Sequence, residues 1–250
     1  MKSIPFIIWT FRRAGGTNFA QFLFNLTPYP KIEHEPFNDD RVFGNITRSF
    51  RDKKDTEKLR IDIRKALSSK PTIKHCLEII PNELNLQLMQ ESTRLGYRHL
   101  FLYREDPKSR LLSLHYAQKT GIWGKKQLKP VDPKIFTTPI NVTSLINHEN
   151  QSRKKMLTVY NQMLLENLNP IAISFEDLYK NKDVSISVKH AKYIVNNLNL
   201  DSELIDDIIY EEMLRGKSQG TKKDYHKFCN SHEASSAIEK LPLFKLDHEG

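Results

Sequence analysis

Cysteine is almost missing from this chain: its 250 residues include only Cys76 and Cys229. They lie far apart, with no C-x-x-C or clustered histidines, so neither a disulfide framework nor a zinc site is suggested, and we read both as reduced thiols. No apolar run approaches the ~18 residues of a membrane span. The run Ile4 to Trp9 is shorter than the apolar part of a signal peptide, and no small-residue cleavage site follows it. We therefore expect a cytoplasmic protein without a transmembrane segment. Glycine is sparse, nine in all, and no Gly/Ser- or Pro-rich stretch divides the sequence, which places residues 1–250 in one domain. Acidic residues number 30 against 39 lysines and arginines, giving a formal net charge of +9. That balance attracts polyanions without choosing among nucleic acid, an anionic membrane and an acidic sugar polymer. The basic residues are scattered, and zinc-finger, helix-turn-helix and RNP-type signatures are missing, so no nucleic-acid partner is expected.

What the sequence does contain is organised around Ile4 to Phe19. A short apolar run ends in Arg12, Arg13, Ala14, Gly15, Gly16, Thr17 and Asn18, after which Phe19, Phe22, Leu23 and Leu26 recur at helical spacing. This is strand, tight loop, helix. Glycines let the backbone approach an anion and aim N–H groups at it from a helix N-terminus. Arg13 adds a planar fork of donors and Thr17 a hydroxyl. Residues 13–18 thus read as a phosphate or sulfate cradle. They are not a Walker A loop, because Gly15 and Gly16 are adjacent and no lysine follows, which counts against an ordinary Mg-dependent ATPase or GTPase. Taken alone, the loop equally suits a Gly-rich turn with incidental arginines.

Beyond Pro28-Tyr29-Pro30, the segment Ile32 to Asn38 carries Glu33, His34 and Glu35 ahead of Pro36, and the proline predicts an extended Glu35. Beside the first strand, Glu35 would be within reach of the loop as a general base; otherwise it belongs to an exposed acidic loop balancing nearby arginines. The charge-rich stretch from Arg41 to Arg64 reads as solvated surface, with a helix from Lys58 to Leu67 whose inner face is Leu59, Ile63 and Leu67. A second strand is expected over Pro71–Leu77 and a helix over Asn82–Leu95, stopped by Gly96. Lys74 or His75, at the end of that strand, would point to the site of an open α/β sheet, although a hydrogen-bonded core role is the better reading of His75.

The stretch His99 to Ala117 repeats the pattern. An apolar strand ends at Arg104, Asp106 is placed to cap a helix that Pro107 begins, and Gly121 follows its end near Thr120. Parallel strands joined by helices put their carboxyl ends on one edge, so Arg13 and Arg104 should face one crevice. Two anion sites on one rim suit a ligand with phosphates at both ends. A further strand is expected at Pro170–Ser174, turning into a helix at Phe175-Glu176-Asp177-Leu178, with the acids as caps. An amphipathic helix follows at Val188–Leu198, and then a basic loop at Arg215–Lys223, read as a solvated segment able to close over a nucleotide.

On these residues the chain resembles the PAPS-dependent sulfotransferases. Arg13-Ala14-Gly15-Gly16-Thr17 is similar to their loop for the 5′-phosphosulfate. Tyr103-Arg104-Glu105-Asp106 with Ser113 is similar to the motif binding the 3′-phosphate of 3′-phosphoadenosine 5′-phosphosulfate (PAPS). Ala117 to Trp123 resembles the bacterial carbohydrate branch, which includes the trehalose and Nod-factor sulfotransferases, and Phe175 to Leu178 is similar to a Tyr-Glu-Asp-Leu signature late in the family. Gly16 stands where a hydroxyl residue is usual and Asn18 where an apolar one is. Arg104 and Ser113 lie nine positions apart, one more than in many members. The resemblance implies a P-loop-like parallel sheet flanked by helices in the sulfotransferase fold. It implies PAPS as sulfuryl donor with no metal, and a carbohydrate, glycolipid or oligosaccharide acceptor. Arg13, Ala14, Gly15, Gly16, Thr17, Asn18, Arg104 and Ser113 would hold the nucleotide, Arg13 would also stabilise developing charge, and Glu35 in His34-Glu35-Pro36-Phe37 would be the catalytic base, with His34 or His75 next in line. A P-loop kinase or a non-enzymatic polyanion-binding protein stands as the alternative.

Overall fold

A computed structural model describes residues 3–32, 34–124, 127, 129–201, 205–215 and 224–246. Strands β1 (Phe6–Thr10), β2 (Ile73–Cys76), β3 (Arg98–Tyr103) and β4 (Ile171–Ser174) form an all-parallel sheet in the order β2-β1-β3-β4. Ile7 sits opposite Ile73 on one side and His99 on the other, and Leu102 opposite Ile173. The helices are α1 (Gly16–Asn25), α2 (Gly44–Lys53), α3 (Thr56–Ala66), α4 (Asn82–Arg94), α5 (Pro107–Thr120), α6 (Val142–Leu165), α7 (Phe175–Tyr179), α8 (Val184–Asn197), α9 (Asp207–Leu214) and α10 (Ser231–Ile238). The protein is α/β, with helices flanking a parallel sheet in a manner compatible with a P-loop-like fold.

Strand alternation sorts the core into two layers. Ile7, Trp9, Ile73, Phe101 and Tyr103 face α3, α4 and α6, where Leu59, Ile63, Leu84, Leu88, Met156 and Val159 pack. Phe6, Ile8, Leu100, Leu102 and Ile173 face α1, α8 and α9, meeting Phe19, Leu23, Ala191, Ile194 and Tyr210. Burial on both faces explains why β1 reads as a continuous apolar run. At α5 the local signals act as expected: Asp106 accepts the Lys108 N–H, and Gly121, left-handed at φ +71°, donates its N–H to the Ala117 carbonyl at 2.9 Å. The helix foreseen from Val188 begins four residues earlier, at Val184, because Asp183 caps it.

Two expectations about the segment before Phe37 are corrected. Lys31 and Glu35 lie beside β2, not β1: Lys31 bridges to Thr72, and the Glu35 N–H donates to the Lys74 carbonyl at 2.9 Å. Both edges of β1 are already taken by β2 and β3, so the segment runs along the outer edge of β2 instead. Glu35 is also not extended but left-handed, at φ +59°. That conformation costs ~1–2 kcal/mol in a non-glycine residue. It is offset by the backbone bond to Lys74, by the Asn38 N–H donating to the Glu35 carbonyl at 3.0 Å, and by two side-chain partners described below. Glu33 and residues 216–223 of the basic loop lie outside the described residues.

Candidate functional site

The chain leaves β1, forms β2 on one side and returns to form β3 on the other, so the order reverses between the carboxyl ends of β1 and β3. In open α/β sheets that is where ligands bind. A cleft of about 860 Å³ opens there. Arg13, Ala14, Gly15, Gly16, Thr17, Asn18, Glu35, Arg104 and Ser113 all line it.

The loop after β1 is braced before it reaches the cleft. The Ala14 N–H turns back to the Phe11 carbonyl at 3.3 Å, so that amide is already used. Gly15 is left-handed at φ +79°, and α1 starts on it with no side-chain cap and no acidic residue in its first turn. The first-turn N–H groups of a helix lack partners within it, and the helix dipole adds positive potential, so this end favours an anion. A Cβ at Gly15 would stand 2.5 Å from the ring of Phe175, and one at Gly16 would stand 3.2 Å from Leu102 and 3.4 Å from Cε of Lys74. Both positions are therefore filled by close packing, which accounts for glycine in each.

Arg13 and Arg104 converge, although not as two separate anion posts. Arg13 is itself left-handed at φ +65° and sends its side chain toward α5, where Nε donates to Ser113 Oγ at 2.9 Å and Nη1 to the Trp123 carbonyl at 2.5 Å. Arg104 Nη1 donates to the Arg13 carbonyl at 3.3 Å. Arg13 thus joins the cluster of Arg104 and Ser113. Burial disfavours its charge, and the nearby Arg104 adds to that effect. Burial also works against Arg104, opposed by Glu176, whose Oε1 stands 3.7 Å from Arg104 Nε. A bound anion would offset all of these costs at once.

Glu35 lines the same cleft. Its carboxylate lies between Lys74 Nζ, at 2.5 Å, and Asn38 Nδ2, at 2.9 Å. Burial pushes its pKa up, but the charge and hydrogen bond of Lys74, with Asn38, outweigh it and bring the pKa below the usual carboxylate range. Lys74 points to the α1 side of the sheet, and its neighbour His75 to the other. There the His75 ring packs edge-on against Trp9 and Phe37, and its Nε2–H donates to Asn85 Oδ1 at 2.7 Å. Burial lowers the His75 pKa to about 4. His75 is a core residue, while His34 lines the cleft beside Glu35.

No protein-family model matches this chain, and no curated protein matches it either. The geometry therefore carries the functional argument. No group of three or more His, Cys, Asp or Glu side chains placed to hold a metal occurs among the described residues, and no described helix is long and apolar enough to cross a membrane.

Sequence reasoning missed the supports beneath these residues. Arg110 on α5, one helical turn before Ser113, donates to the Arg12 carbonyl at 3.3 Å and lies beneath the Phe11 ring. Its charge is met by Glu78, at 3.1 Å, and by Glu149 on α6. Glu78 also takes Arg12 Nε. The cue was the i, i+3 pairing of Arg110 and Ser113, which puts both on one face of α5.

Proposed function

We propose that the protein is a PAPS-dependent sulfotransferase acting on a hydroxyl of a carbohydrate-type acceptor. The observation that carries this reading is the meeting of the uncapped α1 N-terminus with Arg13, Arg104 and Ser113 at the switch point, in one cleft with the half-buried carboxylate of Glu35. When bound, the donor supplies the sulfuryl group and, as leaving group, a nucleotide with two phosphates. The α1 amides from Gly15 to Thr17 would face the 5′ side, and Arg104, Ser113 and Arg13 the 3′-phosphate. Asn18, exposed at the start of α1, would contribute its amide.

Sulfuryl transfer resembles phosphoryl transfer in spreading charge over non-bridging oxygens, so positioning and preorganised donors carry most of the catalysis. Lys74 lies against Gly16 at the foot of the cradle and pairs with Glu35, so it can shift toward anionic charge on the α1 side. Releasing Lys74 raises the basicity of Glu35 while the acceptor hydroxyl is losing its proton to that carboxylate. The arginines and Lys74 supply the positive charge that Mg²⁺ supplies in kinases. The absence of a Walker lysine after Gly16 favours this reading over a P-loop kinase.

Calorimetric titration with adenosine 3′,5′-bisphosphate, beside ATP with Mg²⁺, at two salt concentrations is the direct test. Micromolar, metal-independent binding of the bisphosphate, tighter than ATP, is expected. Equal binding of every polyanion, abolished by salt, would sink the reading and leave a general polyanion-binding protein.

A further inference from the structure

We propose that Phe175 is a positioning residue that couples the two anion-binding parts of the cleft, so that ligands with two anions are selected over ligands with one. The inference rests on reading the cleft as a nucleotide bisphosphate site. Phe175 opens α7 directly after β4, at the carboxyl edge of the sheet, and its ring lines the cleft. The ring packs against the α-carbon side of Gly15, leaving no room for a Cβ. It also carries the Arg104 guanidinium, whose Cζ lies 4.1 Å from the ring centroid. Tyr179, with its ring centroid 4.9 Å away, supports it from behind.

Arg104 needs such support. Its side chain is buried, and its Nε has no hydrogen-bond partner among the described residues. Glu176 stands at 3.7 Å, too far for a hydrogen bond, while its other oxygen accepts the Glu105 N–H at 3.0 Å and fixes the backbone just after Arg104. The guanidinium is therefore oriented mainly by the Phe175 face and by its bond to the Arg13 carbonyl. A cation on an aromatic face is well held when desolvated. One ring thus packs against the left-handed turn that opens the α1 N-terminus, which Gly15 adopts readily by itself, and directs the arginine just past the end of β3. The spacing between the two anion positions is fixed before a ligand arrives, which lowers the ordering cost of binding a ligand that spans both.

The test compares adenosine 3′,5′-bisphosphate with adenosine 5′-monophosphate, titrated into wild type, Phe175→Leu, Phe175→Met and Phe175→Tyr, with thermal unfolding of each. The two apolar variants remove the ring face by different shapes, so one remains informative if the other fails to fold. We expect either folded variant to lose about 5- to 30-fold in bisphosphate affinity, the range of a desolvated cation–π contact. Monophosphate affinity should change less than about threefold, and Phe175→Tyr should restore the preference. An unchanged ratio of the two affinities in folded Leu and Met variants overturns the proposal and leaves the bisphosphate site standing. Equal losses for both ligands also overturn it, since they mean a general structural role. A wild type that does not bind the bisphosphate overturns the functional reading and this proposal together.

Discussion

At the scale of single residues, Glu35 and Lys74 form the pair on which the chemistry turns. Glu35→Gln keeps the shape and the Asn38 contact but cannot take a proton, so kcat with PAPS and a sugar acceptor should fall ~10²- to 10⁴-fold. Bisphosphate affinity should hold, because the Glu35 carboxylate is held by Lys74 and Asn38 and is not part of the Arg13–Arg104–Ser113 cluster. Near-wild-type turnover would instead move the role to His34, its neighbour in the cleft. The pH dependence has a definite sign. Lys74 outweighs burial in lowering the Glu35 pKa, so the base form persists on the acid side of the usual carboxylate range. In Lys74→Met burial and the charge of Glu78 are opposed by Asn38 alone, and the acid limb of the kcat profile should move to higher pH. The position of the limb, not the height of the profile, is the quantity to measure. An unmoved limb would show that Lys74 does not set the basicity of Glu35.

At the scale of elements, the loop from Phe11 to Gly16 holds its shape through close packing, and its two glycines should not be equivalent. Gly15→Ala must hold alanine at φ +79° and place a Cβ 2.5 Å from Phe175, whereas Gly16→Ala meets Leu102 at 3.2 Å in a helical conformation. The first should cost about 2–5 kcal/mol from left-handed strain and overpacking, the second clearly less. Urea unfolding would rank them, and a larger loss at Gly16 would refute the packing argument. The same elements show what a sequence reveals. β1 and α5 were legible because burial on both faces makes a continuous apolar run, and because Asp106, Pro107 and Gly121 punctuate a helix. Arg13, Arg104 and Ser113 were legible as strand-end and first-turn residues. Helix α6 was not foreseen, because Glu149, Ser152 and Arg153 share its buried face with Leu145, Met156, Val159, Tyr160 and Met163 and break the apolar period. The left-handed Glu35 was hidden for a related reason: half of the contacts that outweigh the rule for residues before proline come from Lys74 on β2, distant in sequence.

At the scale of the whole molecule, charge has been carried into the interior, and that sets how the protein responds to acid. Glu78 joins Arg12 and Arg110, and Glu149 joins Arg110 and Arg153, so the anion loop, α5, α6 and the turn after β2 share one buried network. Breaking such a network by removing one partner typically costs 3–5 kcal/mol, and Glu78→Gln should lose about that much. Burial pushes the Glu78 pKa up, but His148, with Nε2 at 3.5 Å, and the charges of Arg110 and Arg12 prevail and lower it to about 2. Its contribution is therefore complete above the ordinary glutamate value of about 4.5 and is lost as pH falls toward about 2. The histidines act earlier. Burial lowers His75 to about 4 and His99 to about 3, so both stay neutral when folded, while the unfolded chain takes up their protons below about 6.5. Stability should thus decline gently from pH 6.5 to 4.5 and more steeply below, as Glu78 is added to the histidines. Urea midpoints measured from pH 7.5 to 3.5 test both stages. A wild-type curve that is flat between pH 7 and 5 would show that the histidines are not held neutral. A Glu78→Gln curve that falls as steeply as wild type below pH 4.5 would show that the network is not what acid attacks.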